Sequence, residues 1–124
     1  MPQSRASETH TDIVVICCGG GGIPVAQAED GHIRGIEAVI DKDRAAALLA
    51  VQLDAPRFVI TTEVDGVYAH YGTPKQELLG DIDVERVREL DREGHFAAGS
   101  MRPKMDAALH YLNRIHGGEA IICR

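Results

Sequence analysis

The sequence predicts an α/β fold in which a mainly parallel sheet is flanked by helices. Three short apolar runs that are typical of buried strands lie at residues 13–18, 57–62 and 119–123. Between them, helix-like segments begin near residues 41, 84 and 103. The resulting order of β, α, β, α, α and β has no internal repeat, and it indicates parallel strands joined by right-handed crossovers.

Length and charge restrict the class of protein. With 124 residues the chain has the length of one domain, and its net charge of -6 argues against a general nucleic-acid binder. No apolar run approaches the roughly 20 residues of a membrane span. Residues 1–11 are polar, without the apolar segment of a signal peptide, so we expect a flexible lead followed by one domain over residues 12–124. The three cysteines show no disulfide or metal pattern, which indicates buried thiols in a reducing cytoplasm.

A run of four glycines follows the first apolar segment: Gly19, Gly20, Gly21 and Gly22. Because glycine has no side chain, its backbone N–H groups can approach a phosphate or carboxylate closely. The run is neither a Walker A loop nor a Rossmann fingerprint. A flexible turn explains it equally well. The polar residues 27–35 are predicted to form a loop or a short hairpin.

The first helix begins with an unusual combination of charges. Asp41, Lys42 and Asp43 precede an alanine- and leucine-rich run that ends near residue 53, and either aspartate can cap it. Lys42 lies at the positive end of the helix dipole, which is unfavourable unless an anion binds there. From this stretch alone, a capped helix with a solvated lysine is the simpler alternative.

Polar residues also follow the second apolar run. Glu63, Asp65 and Tyr68 come directly after it, and ligands of parallel α/β sheets sit outside the carboxyl ends of strands. The sequence therefore predicts ligand contacts here, although Asp65 and Gly66 can equally form a plain turn. Residues 71–74 are predicted to continue a long loop.

Two more helices precede the last strand. Asp83 is predicted to cap an amphipathic helix that Gly94 ends. A glycine-containing loop over residues 95–104 leads into a helix from Pro103 to about residue 115, because proline suits a first turn. Lys104 therefore lies near a helix start, as Lys42 does, and two such lysines favour an anion site more than one does.

Four colinear motifs resemble those of carbamate kinases, in the amino acid kinase superfamily. They lie at residues 19–25, 37–43, 64–68 and 93–104, and the most specific is Gly-His-Phe-Ala-Ala-Gly-Ser-Met at residues 94–101. The resemblance covers residues 12–122, nearly the whole chain. It implies the C-terminal half of a three-layer α/β/α sandwich of the amino acid kinase type, incomplete at its N-terminal side.

The resemblance also implies an activity. Carbamate kinases transfer a phosphoryl group between ATP and carbamate, giving ADP and carbamoyl phosphate, with Mg²⁺. Lys42 and Lys104 would be the catalytic cations beside the phosphate, with Asp43 orienting them, and phosphoryl transfer does require positioning and fixed positive charge. The residues implied to contact the nucleotide are Gly19, Gly20, Gly21, Gly22, Asp41, Glu63, Asp65, Tyr68, Tyr71 and Met101. Core packing explains the two tyrosines and Met101 equally well, and His95 is interpreted as a structural loop residue.

Departures from the family pattern leave alternatives open. Cys17 and Cys18 replace a usual Ala-Ser pair, Glu63 replaces aspartate, and Arg102 stands where a small residue is common. Whole carbamate kinases are more than twice as long, so we expect an N-terminal lobe with much of the carbamate site to be missing. A homo-oligomer or a partner chain would supply it, and the isolated chain would bind nucleotide without family-like turnover. The alternatives are a non-catalytic nucleotide-binding or interaction remnant, and another amino acid kinase with a different acceptor.

Overall fold

The structure, a computed structural model, describes residues 13–96 and 100–124. The predicted N-terminal lead and residues 97–99 of the glycine-containing loop lie outside the described residues. In chain order the elements are β1 (Val25–Gln27), β2 (Ile33–Gly35), α1 (Lys42–Gln52), β3 (Arg57–Thr61), β4 (Tyr68–Ala69), β5 (Glu77–Leu78), α2 (Val84–Arg92), α3 (Met101–Leu112) and β6 (Glu119–Cys123). This arrangement confirms the predicted α/β class.

The central sheet consists of β3 and β6, which pair in parallel as predicted. Phe58 lies opposite Ala120 and Ile60 lies opposite Ile122 in the register of the two strands. Burial alternates along β3, because α1 and α3 cover one face of the pair while Val59 on the other face is 50% exposed. The described strand is therefore covered on one face. The other pairs, β1 with β2 and β4 with β5, are antiparallel.

Two hydrophobic clusters hold the helices in place. The first packs α1 and α3 against the sheet through Ala47, Ala50, Phe58, Ile60, Ala107 and Tyr111. Its alanines permit close packing, and the Tyr111 hydroxyl donates a 2.6 Å hydrogen bond to the carbonyl of Ala55. The second cluster joins α2 and α3 to β4 and comprises Ala69, Val87, Leu90, Phe96 and Met105.

Local signals fix the helix ends much as the sequence predicts. The Asp41 carboxylate accepts from the Arg44 amide at 2.9 Å, and Asp83 caps α2 in the same way. Gly94 follows α2 with a φ of +81°, a conformation that glycine adopts without strain. Helix α3 begins at Met101, two residues before the predicted start. Pro103 then lies inside the first turn, where its missing N–H removes no helical hydrogen bond.

The predicted first strand is wrong for the structure. Residues 13–18 form no strand, and the side chains of Val14 and Ile16 are 87% and 96% exposed. A parallel strand needs a neighbour to pair its backbone, and the described sheet contains only β3 and β6. Cys17 is consequently exposed, so the prediction of buried thiols is wrong there. Residues 71–74 lie outside strands and helices, as predicted, but they connect β4 to β5, so the segment around them is a short hairpin instead of one long loop.

The helices of the described residues are short. None of those within residues 13–96 and 100–124 is long and apolar enough to cross a membrane.

Candidate functional site

A cavity of about 640 Å³ opens at the carboxyl end of β3, where ligands bind in parallel α/β sheets. Five parts of the chain meet there: the end of β3, the first residue of α1, the segment around β4, the residues that follow α2, and the start of α3. Its lining residues are Lys42, Thr61, Thr62, Glu63, Val64, Tyr68, Tyr71, His95, Phe96, Ser100, Met101 and Lys104. Six of the residues predicted from the sequence to form the site are among them.

A buried ion pair supports the inner wall of this cavity. The Lys104 Nζ atom lies 3.0 Å and 3.2 Å from the two carboxylate oxygens of Asp43. Lys104 is 6% exposed and Asp43 is 7% exposed, so each charge depends on the other for compensation. The pair joins the first turn of α1 to the first turn of α3, because the alanine contacts between these helices bring the two turns together. Asp43 thus fixes the position of the Lys104 ammonium.

Lys42 presents the second ammonium group. It is the first residue of α1, it is exposed, and it makes no ion pair with the carboxylates of the described residues. The free N–H groups of the first helical turn add to the positive potential there. Asp43 balances Lys104, whereas Lys42 has no carboxylate of the described residues within ion-pair distance, although Glu63 also lines the cavity. The Lys42 ammonium therefore favours an anionic ligand group beside it.

Aromatic side chains also line this cavity. The rings of Tyr68 and Tyr71 lie 5.8 Å apart between centroids, with an interplanar angle of 51°. Phe96 and Met101 line the same cavity. Flat apolar side chains of this kind can pack against a planar ring, and a tyrosine hydroxyl can stay in contact with water. The cavity therefore combines positive charge with a surface for an aromatic ligand group.

Four of the predicted residues in the glycine run do not line the cavity. Gly21 has a φ of +80°, and a Cβ atom there would lie 2.4 Å from the carbonyl oxygen of Ile40. Its amide donates to the carbonyl of Cys18 at 2.9 Å. Glycine is thus required at this position by a tight turn against the residues that lead into α1.

Three predicted carboxylates are outside the cavity lining as well. Asp41 acts as the cap of α1, and Asp43 lies behind Lys104. Asp65 is largely exposed and lies 3.7 Å from the Arg124 guanidinium.

Sequence reasoning missed several lining residues, namely Thr61, Thr62, Val64, Phe96 and Ser100, and did not assign His95 to the site. Thr61 and Thr62 end the strand that the sequence did predict. Their position directly before Glu63 could therefore have identified them as site residues. His95 and Phe96 lie inside the most specific motif, and only the fold shows that they face the same space as Tyr68.

A smaller cavity of about 320 Å³ lies between α1 and α3, away from the first, and is lined by Arg44, Leu48, Asp106 and His110. Burial lowers the pKa of His110, and the nearby cations of Arg114 and Arg44 lower it further. The Arg114 guanidinium lies 3.1 Å from the Nδ1 atom of His110. This histidine is therefore held neutral in the folded protein at pH values near 7.

Comparisons with known proteins identify the family of the chain. The model of the amino acid kinase family matches residues 6–124. Carbamate kinase 2 of Enterococcus faecalis is 50% identical over 113 residues, which cover 91% of this chain and 36% of that protein. The carbamate kinase of Pyrococcus furiosus is 48% identical over 110 residues, or 89% of this chain and 34% of that protein. The chain thus spans about a third of the length of these relatives.

Solved structures give the same result. The structure of the Giardia lamblia carbamate kinase bound to AMP-PNP superposes with a TM-score of 0.82 and 40% identity. The match covers 90% of this chain and 38% of that chain. By sequence and by fold, the chain belongs to the amino acid kinase family, and the relatives that it matches are carbamate kinases.

Proposed function

We propose that this chain is the nucleotide-binding part of a carbamate kinase, which transfers a phosphoryl group between ATP and carbamate to give ADP and carbamoyl phosphate. The observation that carries the proposal is the single cavity whose lining includes both Lys42 and Lys104 and both Tyr68 and Tyr71. Two cations suit the phosphates, and the aromatic wall suits the base. The similarity to carbamate kinases supports the assignment of the reaction.

In this proposal the two lysines have different tasks. Phosphoryl transfer involves little covalent chemistry by the protein, so positioning and fixed positive charge supply most of the catalysis. Lys104 is held by Asp43, so its ammonium is already oriented before the reaction and needs little rearrangement. Lys42 is exposed and mobile enough to follow the phosphoryl group, because lysine carries a compact charge on a flexible stem.

The other predicted residues would bind the nucleotide. Tyr68, Tyr71 and Met101 would pack against the adenine, and Glu63 would accept from the ribose hydroxyls or contact the metal. In the run of glycines at residues 19–22, Gly19 and Gly20 would offer backbone N–H groups at the phosphate or acceptor side, while the amides of Gly21 and Gly22 donate within the turn and would hold its shape. Asp41 would affect nucleotide binding indirectly, through the cap of α1, the helix that begins with Lys42. Asp65 would contact the nucleotide from outside the cavity lining.

A magnesium ion would accompany the nucleotide. Among residues 13–96 and 100–124, no three acidic, histidine or cysteine side chains are grouped to hold a metal ion. Glu63 is nevertheless a carboxylate on the cavity wall, and Mg²⁺ commonly binds through one or two carboxylates together with substrate phosphates. The site therefore fits a magnesium ion that arrives with ATP or ADP. When bound, the ion would neutralise negative charge on the phosphates.

The acceptor side of the reaction would need further protein. The described residues supply a wall for the nucleotide, and the chain spans about a third of its relatives, 36% of the first of them. The exposed face of β3 and the exposed apolar residues 13–16 are surfaces against which the rest of a kinase fold, or a partner chain, would pack. A non-catalytic nucleotide-binding remnant is the second candidate. It is favoured because the described residues supply a site for the nucleotide and the acceptor side would need further protein. We place either form in the cytoplasm, where unpaired cysteines stay reduced.

Calorimetry with magnesium-ADP tests the proposal. Lys42→Ala should weaken binding about tenfold or more, because it removes a charge-assisted contact to phosphate. Lys75→Ala is the matched control, since Lys75 is an exposed lysine that does not line the cavity, and it should change affinity by less than about twofold. A folded wild-type chain that binds no magnesium-ADP would refute the proposal. Formation of ATP from carbamoyl phosphate and ADP then separates the enzyme from the remnant.

A further inference from the structure

His95 is anchored to the end of α2 by its backbone. Its amide donates to the carbonyl of Leu90 at 3.0 Å, and the preceding Gly94 has a φ of +81°, which together form the usual glycine-dependent helix ending. The imidazole is 11% exposed and lines the cavity. The ring is therefore held in one position by a rigid element.

Both nitrogen atoms of this ring have partners. The Nδ1 atom accepts a hydrogen bond from the backbone amide of His70 at 3.2 Å. Because Nδ1 is an acceptor, the neutral ring carries its proton on Nε2, which donates to the Glu93 carboxylate at 3.1 Å. The two histidine rings also meet edge to face, with centroids 4.2 Å apart. His95 thus joins α2 to the segment that follows β4.

The segment at His70 has a conformation that needs support. His70 has a φ of +51°, in the left-handed region that residues other than glycine rarely occupy. Its carbonyl accepts from both the amide and the hydroxyl of Thr73, at 3.1 Å and 2.8 Å, which closes a tight turn. Tyr71 lies within this turn, and Tyr68 lies two residues before it. The bond from the His70 amide to His95 therefore ties the segment that carries both cavity tyrosines to the end of α2.

We infer that His95 is a positioning residue for nucleotide binding: its Nδ1 atom holds the His70 turn so that Tyr68 and Tyr71 stand against the nucleobase. The inference rests on the proposed function, and it assigns His95 an action on the ligand through His70. Without the acceptor, the His70 amide loses its partner in a strained conformation. The tyrosines are then ordered only when the nucleotide binds, which lowers affinity.

Two substitutions of His95 distinguish the effect of its hydrogen bond to the His70 amide from the effect of its packing. His95→Asn retains an acceptor atom at the same number of bonds from Cα as Nδ1, whereas His95→Leu fills the space without an acceptor. We expect the leucine variant to bind magnesium-ADP about fivefold to tenfold more weakly, and the asparagine variant to bind within about twofold of wild type. His116→Leu, at an exposed histidine outside the cavity, is the matched control and should bind as wild type does. Should His95→Leu fail to fold, His95→Ala takes its place.

Hydrogen exchange of the His70 amide gives a second readout that needs no nucleotide. Its protection should fall at least about tenfold in His95→Leu and remain in His95→Asn. Unchanged protection in the leucine variant, or unchanged ADP affinity there, overturns the inference. So does an asparagine variant that binds as weakly as the leucine variant. A wild-type chain that binds no magnesium-ADP refutes the proposed function and the nucleotide part of the inference, while the exchange result still decides whether His95 holds the turn.

Discussion

Replacing Asp43 by asparagine should strongly destabilise the protein, because it leaves the Lys104 ammonium buried without its counter-charge. Asp43 and Lys104 are 7% and 6% exposed, and their contacts of 3.0 Å and 3.2 Å involve both carboxylate oxygens. Removing one partner of such a pair costs about 3–5 kcal/mol. Asparagine keeps one acceptor oxygen, so we expect the lower end of that range, about 3 kcal/mol.

Thermal or urea unfolding followed by circular dichroism measures this change. An unfolding entropy of about 2.1 cal/mol/K per residue amounts to about 0.26 kcal/mol/K for the 124 residues. A loss of about 3 kcal/mol should therefore lower Tm by about 12 °C. Asp41→Asn is the matched control, since it removes the same charge two residues away and asparagine caps a helix as well as aspartate does.

A double-mutant cycle tests the pairing itself. Lys104→Met alone leaves the Asp43 carboxylate buried and unpaired, whereas Asp43→Asn/Lys104→Met leaves no unpaired charge. We expect the double variant to be more stable than the sum of the single changes predicts by at least about 2 kcal/mol. The buried-pair reasoning would be refuted if the effects of the two single substitutions on the free energy of unfolding add up to that of the double variant within about 0.5 kcal/mol. It would also be refuted if Asp43→Asn lowers the free energy of unfolding by less than about 1 kcal/mol.

Two further predictions concern α3. Tyr111→Phe should lower the free energy of unfolding by about 1 kcal/mol in urea titrations, because the Ala55 carbonyl loses its 2.6 Å hydrogen bond, and an unchanged unfolding midpoint would contradict this. His110 has a lowered pKa in the folded state, so the unfolded chain binds a proton more readily. The contribution of His110 to the free energy of unfolding should thus be fully present above its ordinary pKa of about 6.5. Below that pH the contribution should decrease, by no more than about 1.4 kcal/mol per pH unit. His110→Gln should remove this part of the pH dependence, as measured by unfolding at about pH 7.5 and about pH 5.5.

The two lysines show how far sequence reasoning reaches into the site. Lys42 and Lys104 were predicted to share a site, and both line one cavity in the structure. The predicted link between Asp43 and the lysines is observed for Lys104, as a pair that spans 61 positions along the chain. No local pattern specifies that Lys42 is left without this carboxylate. The roles of these residues in catalysis stay predictions.

The sequence by itself determined most local features: an aspartate cap at the start of α1, the cap of α2 at Asp83, the end of α2 at Gly94, and the strands β3 and β6. Which of Asp41 and Asp43 caps α1 was left to the structure, which uses Asp41. These depend on side chains and near neighbours, so a short window contains the cause. The tertiary structure decided what depends on distant partners. Residues 13–18 are apolar enough for a strand, yet they pair with nothing in the described sheet and remain exposed. The His95 ring likewise acquires its position only because the fold brings it to the His70 amide, 25 residues away in sequence.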